Sequence, residues 1–397
     1  MMRSSAPLTL ARAMERAALA APELQAVALE RQARSADTGQ ASRWLNPTMS
    51  IEAENFDGRG ALSGFDGAET TLAFGQTFRL GGKRELAIQA AVARERLGDA
   101  ECRLALRDVR LTTGTLYYAL EAAIERAELA QTAAQTALAL ATVVEKRVEA
   151  GAAAAPELAR ARADAAVQSS LSDTAQGDVE AAALALASIW GASQVNFVLP
   201  VPAERAPHPE KPTHSESIHP QTQAAQAQAM VLDADTAVAR SRAIPDLTVT
   251  TGIRRFEETD DEAFVVAISL PIPLFDRNVD ATMAAGLRQN ATGLMANAVE
   301  SRLQAQIRAT REQLGSAQTA LARLRDEALP SAQQAYEAAQ QGYRVGKFDL
   351  TTTLDARRSL IDTQAARIEA KRSTNTLALR LQSLTGTGPF SGDQHDG

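Results

Sequence analysis

Two stretches of this chain, residues 47–79 and 246–273, alternate apolar and polar side chains with a period of two, while almost everything around them is alanine-rich and helical in period. In the second stretch Leu247, Val249, Thr251 and Ile253 alternate with Thr248, Thr250, Gly252 and Arg254. After an acidic loop, Phe264, Val266, Ile268, Leu270 and Ile272 alternate with Val265, Ala267, Ser269 and Pro271. In the first, Met49, Ile51 and Ala53 stand against Ser50, Glu52 and Glu54; beyond a glycine-rich loop, Leu72, Phe74 and Phe78 stand against Thr71, Ala73, Gly75 and Thr77. The pattern predicts two β-hairpins, four strands in all, each with one apolar face.

Strands of about nine residues are long enough to cross a bilayer when tilted, but a closed barrel needs about eight or more of them. Open strand edges cannot face lipid. Either the hairpins form a small soluble sheet, or several copies pool their strands, a trimer giving twelve and a dimer eight.

Composition narrows the classes. Aromatic residues are 4% of the 397 residues, which suits thin helical layers better than thick globular cores. The formal charge of -7, with basic and acidic residues interspersed, argues against a nucleic-acid partner. The one cysteine, Cys102, lies in a helical pattern, cannot form an intrachain disulfide, and reads as a small buried residue. No stretch approaches the roughly 18 to 20 uninterrupted apolar residues of a membrane-spanning helix. The opening MMRSSAPLTLARAMERA has no apolar h-region and no small-residue cleavage site. It is expected either to belong to a cytoplasmic protein or to follow a leader that lies upstream of it.

The order of elements repeats. The expected first repeat, 1–199, holds a helix over about residues 8–40 interrupted at Pro22, the hairpin at 47–79, a long helix at 82–149 and a return helix at 156–190. At 1.5 Å per residue the long helix measures roughly 100 Å, and Leu97, Leu104 and Leu111 give it coiled-coil spacing. A proline-rich linker follows at 200–220. The second repeat, 221–386, holds a helix, the hairpin at 246–273, a long helix at 278–343 and a return helix at 350–385, with a loose tail at 387–397. The segment RVEAGAAAAPELARARAD lines up with YRVGKFDLTTTLDARRS, and hairpin-to-reversal spacing is nearly equal in the two halves, which reads as an internal duplication.

This layout, over about residues 8–386, resembles the TolC-type outer-membrane efflux factors. Two motifs narrow the resemblance to the branch that exports heavy-metal cations: Gly75 to Arg84 (GQTFRLGGKR) is similar to a Q-x-x-x-LGGKR signature, and Ser269 to Asn278 (SLPIPLFDRN) to an LP-x-PLFDRN signature. The resemblance implies a mainly α protomer with β, whose long coiled-coil helices form an α-barrel and whose four strands join a shared 12-stranded β-barrel in a trimer. It also implies an outer-membrane location, a helical barrel in the periplasm, docking to a periplasmic adaptor and an inner-membrane RND pump, and no cofactor.

At the junctions, Gly81 and Gly82 let a strand swivel into a helix, Lys83 and Arg84 are expected at headgroup level, and Pro271 and Pro273 end the second ladder with Arg277 at the same border. By motif match the adaptor-docking tips are Gly151 with Leu158, and Val345 and Gly346 with Leu354. The same residues also read as helix C-cap glycines and coiled-coil core. Many relatives close the periplasmic aperture with two acidic residues three positions apart; here Asp355 matches the second and Thr352 occupies the first. Asp355 reads equally as a surface ion-pair partner of Arg357 or Arg358. Glu52 and Glu54 are expected to line the pore, and Glu257, Glu258, Asp260, Asp261 and Glu262 to crowd its outer mouth. His208, His214 and His219 have spacings that match no compact metal site, and no protein-bound metal is expected.

The sequence carries no P-loop, dinucleotide fingerprint, nucleophile elbow or HExxH, so no enzyme is expected. Three functions are weighed: a passive exit duct for a metal-cation pump, the same fold serving drug efflux or protein secretion, and a cytoplasmic coiled-coil scaffold. Some relatives carry an acylated N-terminal cysteine, and none precedes Cys102 here.

Overall fold

The structure, a computed structural model of the chain, describes residues 6–202 and 219–390. Its elements run α1 (Leu10–Ala20), α2 (Pro22–Ala41), β1 (Thr48–Glu54), β2 (Glu69–Phe78), α3 (Lys83–Glu149), α4 (Ala155–Ser188), α5 (Pro220–Ser241), β3 (Leu247–Phe256), β4 (Asp261–Ser269), α6 (Val279–Arg323), α7 (Leu329–Arg344) and α8 (Leu350–Thr385). Among the described residues, no helix is long and apolar enough to cross a membrane.

The chain divides into two compact units. One comprises Val27–Cys102 and Pro220–Glu300 and contains the whole sheet. All four strands form a single antiparallel sheet in the order β1-β2-β3-β4, so the two hairpins are joined edge to edge through β2 and β3. The period-two pattern fixes the register, because a slip of one residue moves every side chain to the opposite face. Met49 pairs with Phe74, Phe74 with Thr251 and Thr251 with Val266; Ile51, Leu72, Ile253 and Phe264 form the next apolar row. Below the sheet, Ala93, Leu97 and Ala100 of α3 pack with Ala227 and Val231 of α5. Cys102 is only half-buried, its thiol directed at the Val27 carbonyl, and burial raises its pKa.

The other unit comprises Met1–Ala26, Arg103–His219 and Ser301–Gly397. One core gathers Met14, Tyr117, Tyr118, Leu120, Leu186, Trp190 and Leu379; a second gathers Ala137, Leu140, Val144, Ala161, Ala165, Tyr343, Leu350 and Leu354. Alanine is frequent in the second because small side chains let helices pack closely.

Two expectations change here. The second long helix is not uniform: Leu324–Ala328 form a π-turn between α6 and α7. Pro330, which has no N–H to donate, stands two residues after it, at the second position of α7. The buried stripe also slips at this point. Thr310 and Ala339, like Leu314 and Tyr343, are buried positions separated by four heptads plus one residue, and a π-turn absorbs one extra residue without breaking the helix. The expected loose tail is also partly packed. Gly386 ends α8 at φ 67°, Gly388–Phe390 make a 3₁₀ turn, and Phe390 is 3% exposed in the core beside Trp190 and Leu379. Burying one phenylalanine is worth roughly 1.5–3 kcal/mol, enough to hold so short a segment.

Candidate functional site

On the sheet, the apolar face is bare. Met49 (64%), Ile51 (70%), Phe264 (76%), Val266 (62%) and Ile268 (71%) are as exposed as surface residues, although they form one contiguous apolar surface. The opposite face is polar and carries Glu52 and Glu54, as the alternation required. Glu54 is not free: Arg254 reaches it at 3.2 Å, and also binds Glu69 and the Thr71 hydroxyl at 2.9 Å each. Glu52 has no cationic partner among the described residues.

The expected acidic loop is shorter than predicted. Asp261 and Glu262 belong to β4, paired with Phe256 and Arg255, because the ladder continues until a four-residue turn of Glu257, Glu258, Thr259 and Asp260. Asp260 takes a positive φ of 57° and accepts from Arg255 at 2.6 Å, while Glu257 pairs with Arg255 at 3.3 Å. At the other end β4 stops at Ser269, so Leu270 and Ile272 lie outside the ladder, with Pro271 and Pro273 just beyond its last rung.

The two signature motifs occupy the junction between sheet and helices. Gly81 and Gly82 take φ of 66° and 68°, and a Cβ on Gly81 would meet Ile244 at 2.5 Å. Lys83 and Arg84 make contacts within the protomer's own junction: the Lys83 ammonium donates to Asp246 at 2.7 Å, tying the exit of β2 to the entry of β3. Arg84 donates to the Ser42 carbonyl and lies 5.2 Å over the Trp44 ring. In the second motif, Asp276 accepts from the Asn278 N–H at 2.8 Å, and Asn278, at φ 56°, donates its side-chain amide to the Ala239 carbonyl. Arg277 is exposed. Asp246 and Ala239 lie far from the motifs in sequence, so nothing local announced them.

At the two reversals Gly151 (φ 69°) and Gly346 (φ 76°) are left-handed C-cap residues. Gly151 donates to Val148 and Ala152 to Arg147; Gly346 donates to Tyr343 and Lys347 to Gly342. These are the same two Schellman bonds in both halves. The surfaces differ. The first turn presents mainly alanines, whereas the second exposes Val345 (65%) and Phe348 (48%), whose ring packs on Gly342 so closely that any Cβ there would collide with it. Leu354, expected at the docking surface, is buried at 9% in the protomer's own core, and Leu158 is half-buried against it. It faces inward because the first turns of α8 lie against α3 and α4.

Arg147, which sequence reading passed over, donates to the carbonyls of Tyr343 and Ala152 and lies 4.5 Å over the Tyr343 ring. The Tyr343 hydroxyl lies 3.3 Å from Glu157, and burial foremost raises its pKa. Helix α8 is capped by Asp349, whose carboxylate accepts the Thr352 N–H at 2.8 Å, and hydrogen bonding from Thr352, its side chain first and then its backbone, lowers the Asp349 pKa. Thr352 and Asp355 are both exposed. The ion-pair reading of Asp355 does not hold: Arg357 is buried and bonded to Asp164, Arg358 reaches Asp362 at 3.8 Å, and Asp355 has no cationic partner among the described residues.

His208 and His214 lie outside the described residues. His219 is half-buried, and burial followed by the nearby Arg107 lowers its pKa to about 4, so it is neutral at ordinary pH.

Comparison with known proteins agrees with this geometry. The family model described as outer membrane efflux protein matches residues 13–192 and 215–387. The cobalt-zinc-cadmium resistance protein CzcC of Cupriavidus metallidurans is 28% identical over 391 residues, covering 96% of this chain and 91% of the relative. The nickel-cobalt-cadmium resistance protein NccC of Alcaligenes xylosoxydans xylosoxydans is 30% identical over 300 residues, covering 73% and 68%. Among solved structures, the outer membrane protein VceC of Vibrio cholerae superposes with a TM-score of 0.79 at 20% identity, covering 96% of each chain.

Proposed function

The chain belongs to the outer membrane efflux protein family, and on that premise we propose that it is the exit duct of a tripartite efflux system for divalent metal cations of the cobalt, nickel, zinc and cadmium class. One observation carries the reading. The sheet is only four strands wide and bare on its apolar face, and its free edges, β1 and β4, run antiparallel to each other. Copies of the chain therefore join edge to edge in the same antiparallel pattern, and three of them supply twelve strands, which removes every open edge from lipid. The apolar face then meets lipid and the polar face lines water.

The duct is passive, and its trimer stands in the outer membrane with the helices in the periplasm. An adaptor docks on the reversals at Gly151, Val345 and Gly346, and an inner-membrane RND pump supplies the energy. Leu158 and Leu354 support these tips from inside. Three Asp355 carboxylates converge at the periplasmic aperture, with Thr352 beside them, and attract or bridge divalent cations. Glu257, Glu258, Asp260 and Asp261 give the outer mouth the same sign, and Glu52 and Glu54 line the barrel. Gly81, Gly82, Lys83, Arg84, Pro271, Pro273 and Arg277 hold the junction between barrel and helices.

The assignment of cargo rests on the names of the metal-resistance relatives. The test is growth of a strain lacking the protein, with and without a plasmid copy, across nickel, cobalt, zinc, cadmium, copper and a panel of dyes and antibiotics. Sensitivity confined to divalent metals and reversed by the plasmid is the expected result. Sensitivity to organic compounds alone overturns the metal assignment in favour of drug efflux.

A further inference from the structure

All ionisable side chains on the polar face of the sheet lie in the two rows nearest the hairpin turns. The outer row is Glu54, Glu69, Phe256 and Asp261; the inner row is Glu52, Thr71, Arg254 and Ala263. Below them the face carries only serine, threonine, alanine, glycine and valine. Glu54 and Glu69 are direct ladder partners, so two carboxylates face each other across β1 and β2, an arrangement that repels. Arg254 resolves it from a third strand. Its Nε donates to Thr71 Oγ1 at 2.9 Å, Nη1 to Glu69 at 2.9 Å and Nη2 to Glu54 at 3.2 Å, with the side chain 29% exposed.

These bonds draw the guanidinium out of its own row toward the outer one. Glu52, two strands away in the inner row, is left without a cationic partner among the described residues. We infer that Arg254 sets the charge preference of the barrel lumen: it offsets one carboxylate of the outer row and, by being tethered there, leaves the Glu52 row negative. Each copy then presents four carboxylates against one guanidinium, and the lumen prefers cations. The inference rests on the duct reading, in which this face lines water, and adds the residue that tunes which ions pass.

The test uses the purified full-length protein in planar lipid bilayers, with reversal potentials measured across a KCl gradient. Recordings are made in the wild type and in the D355N background, so that the aperture does not mask the barrel. R254Q raises the potassium-over-chloride permeability ratio by about twofold or more near 10 mM salt, where the Debye length of about 30 Å spans a lumen, and the difference collapses near 1 M, where it is about 3 Å. E69Q lowers the ratio, and R254Q/E69Q, with the original net charge, returns to the wild-type value. If R254Q alone does not assemble, E69Q against R254Q/E69Q carries the same comparison, because neither has two opposed carboxylates. Channels whose ratio is the same with and without Arg254 overturn the inference. Failure of the assembled wild-type protein to conduct at all overturns the duct reading instead.

Discussion

Arg147, at the end of α3, donates to the main-chain carbonyl of Tyr343, at the end of α7, and stacks 4.5 Å over its ring. One cation thereby ties the two chain reversals together: it satisfies a helix-terminal carbonyl of the second repeat and, through Ala152, one of the first turn. A hydrogen bond from a charged donor contributes about 1.5–3 kcal/mol, and a partly desolvated cation–π contact about 1 kcal/mol more.

Replacing Arg147 with Ala should therefore loosen both turns at once. Hydrogen exchange at the amides of residues 343–348 is expected to accelerate roughly tenfold or more, since each 1.4 kcal/mol is a factor of ten. Tyr343→Phe, which keeps the ring and loses only the contact to Glu157, should change exchange far less. Equal effects of the two substitutions would show that the guanidinium is not the tie.

The glycines of the reversals differ in what they demand. Gly151 faces open space, so Gly151→Ala meets only the left-handed backbone penalty of about 1–2 kcal/mol. Gly342 sits within α7 with the Phe348 ring against it, so Gly342→Ala must expel that ring. Gly342→Ala is expected to impair adaptor binding, measured with the purified adaptor. Adding Phe348→Ala to it should relieve the collision without restoring binding. Normal binding by Gly342→Ala would remove Phe348 from the docking surface.

At the aperture, Asp355→Asn should raise single-channel conductance and abolish block by millimolar divalent cations from the periplasmic side. Thr352→Asp adds a second acidic position one helical turn earlier and should strengthen that block. If divalent block is unchanged in Asp355→Asn, the carboxylates do not converge on the axis.

The π-turn yields a test of helix phase. Pro330→Ala should be nearly neutral in thermal unfolding of the detergent-solubilised protein, because the extra residue, and not the proline ring, demands the turn. Deleting Asp326 removes the extra residue, so the segment closes as plain α-helix while α6 and α7 keep their relative phase and Ala339 and Tyr343 stay in the core. Normal assembly is the expected readout, and a deletion variant that fails to assemble would contradict the phase argument.

How much of this was legible in the sequence depends on the range over which each interaction acts. Strand faces, both reversal glycines and the long helices follow from local periodicity and from residues whose backbone freedom is intrinsic, so Met49, Ile51, Gly151 and Gly346 could be placed from the sequence. The family signatures at Gly81 to Arg84 and Pro271 to Asn278 were local too. Partner choice was not. Only tertiary structure could decide that Arg254 leaves Glu52 and binds Glu54 and Glu69, that Lys83 turns to Asp246, that Arg357 takes Asp164 and leaves Asp355 alone, and that Leu354 is buried in the protomer's own core. Each of these pairs is separated by long stretches of chain or chosen among several equivalent charges, and the choice is made by packing distance and register. The π-turn lies between the two cases: Pro330 and the one-residue slip in the buried stripe were written in the sequence, but which positions were buried became known only once the helices were packed.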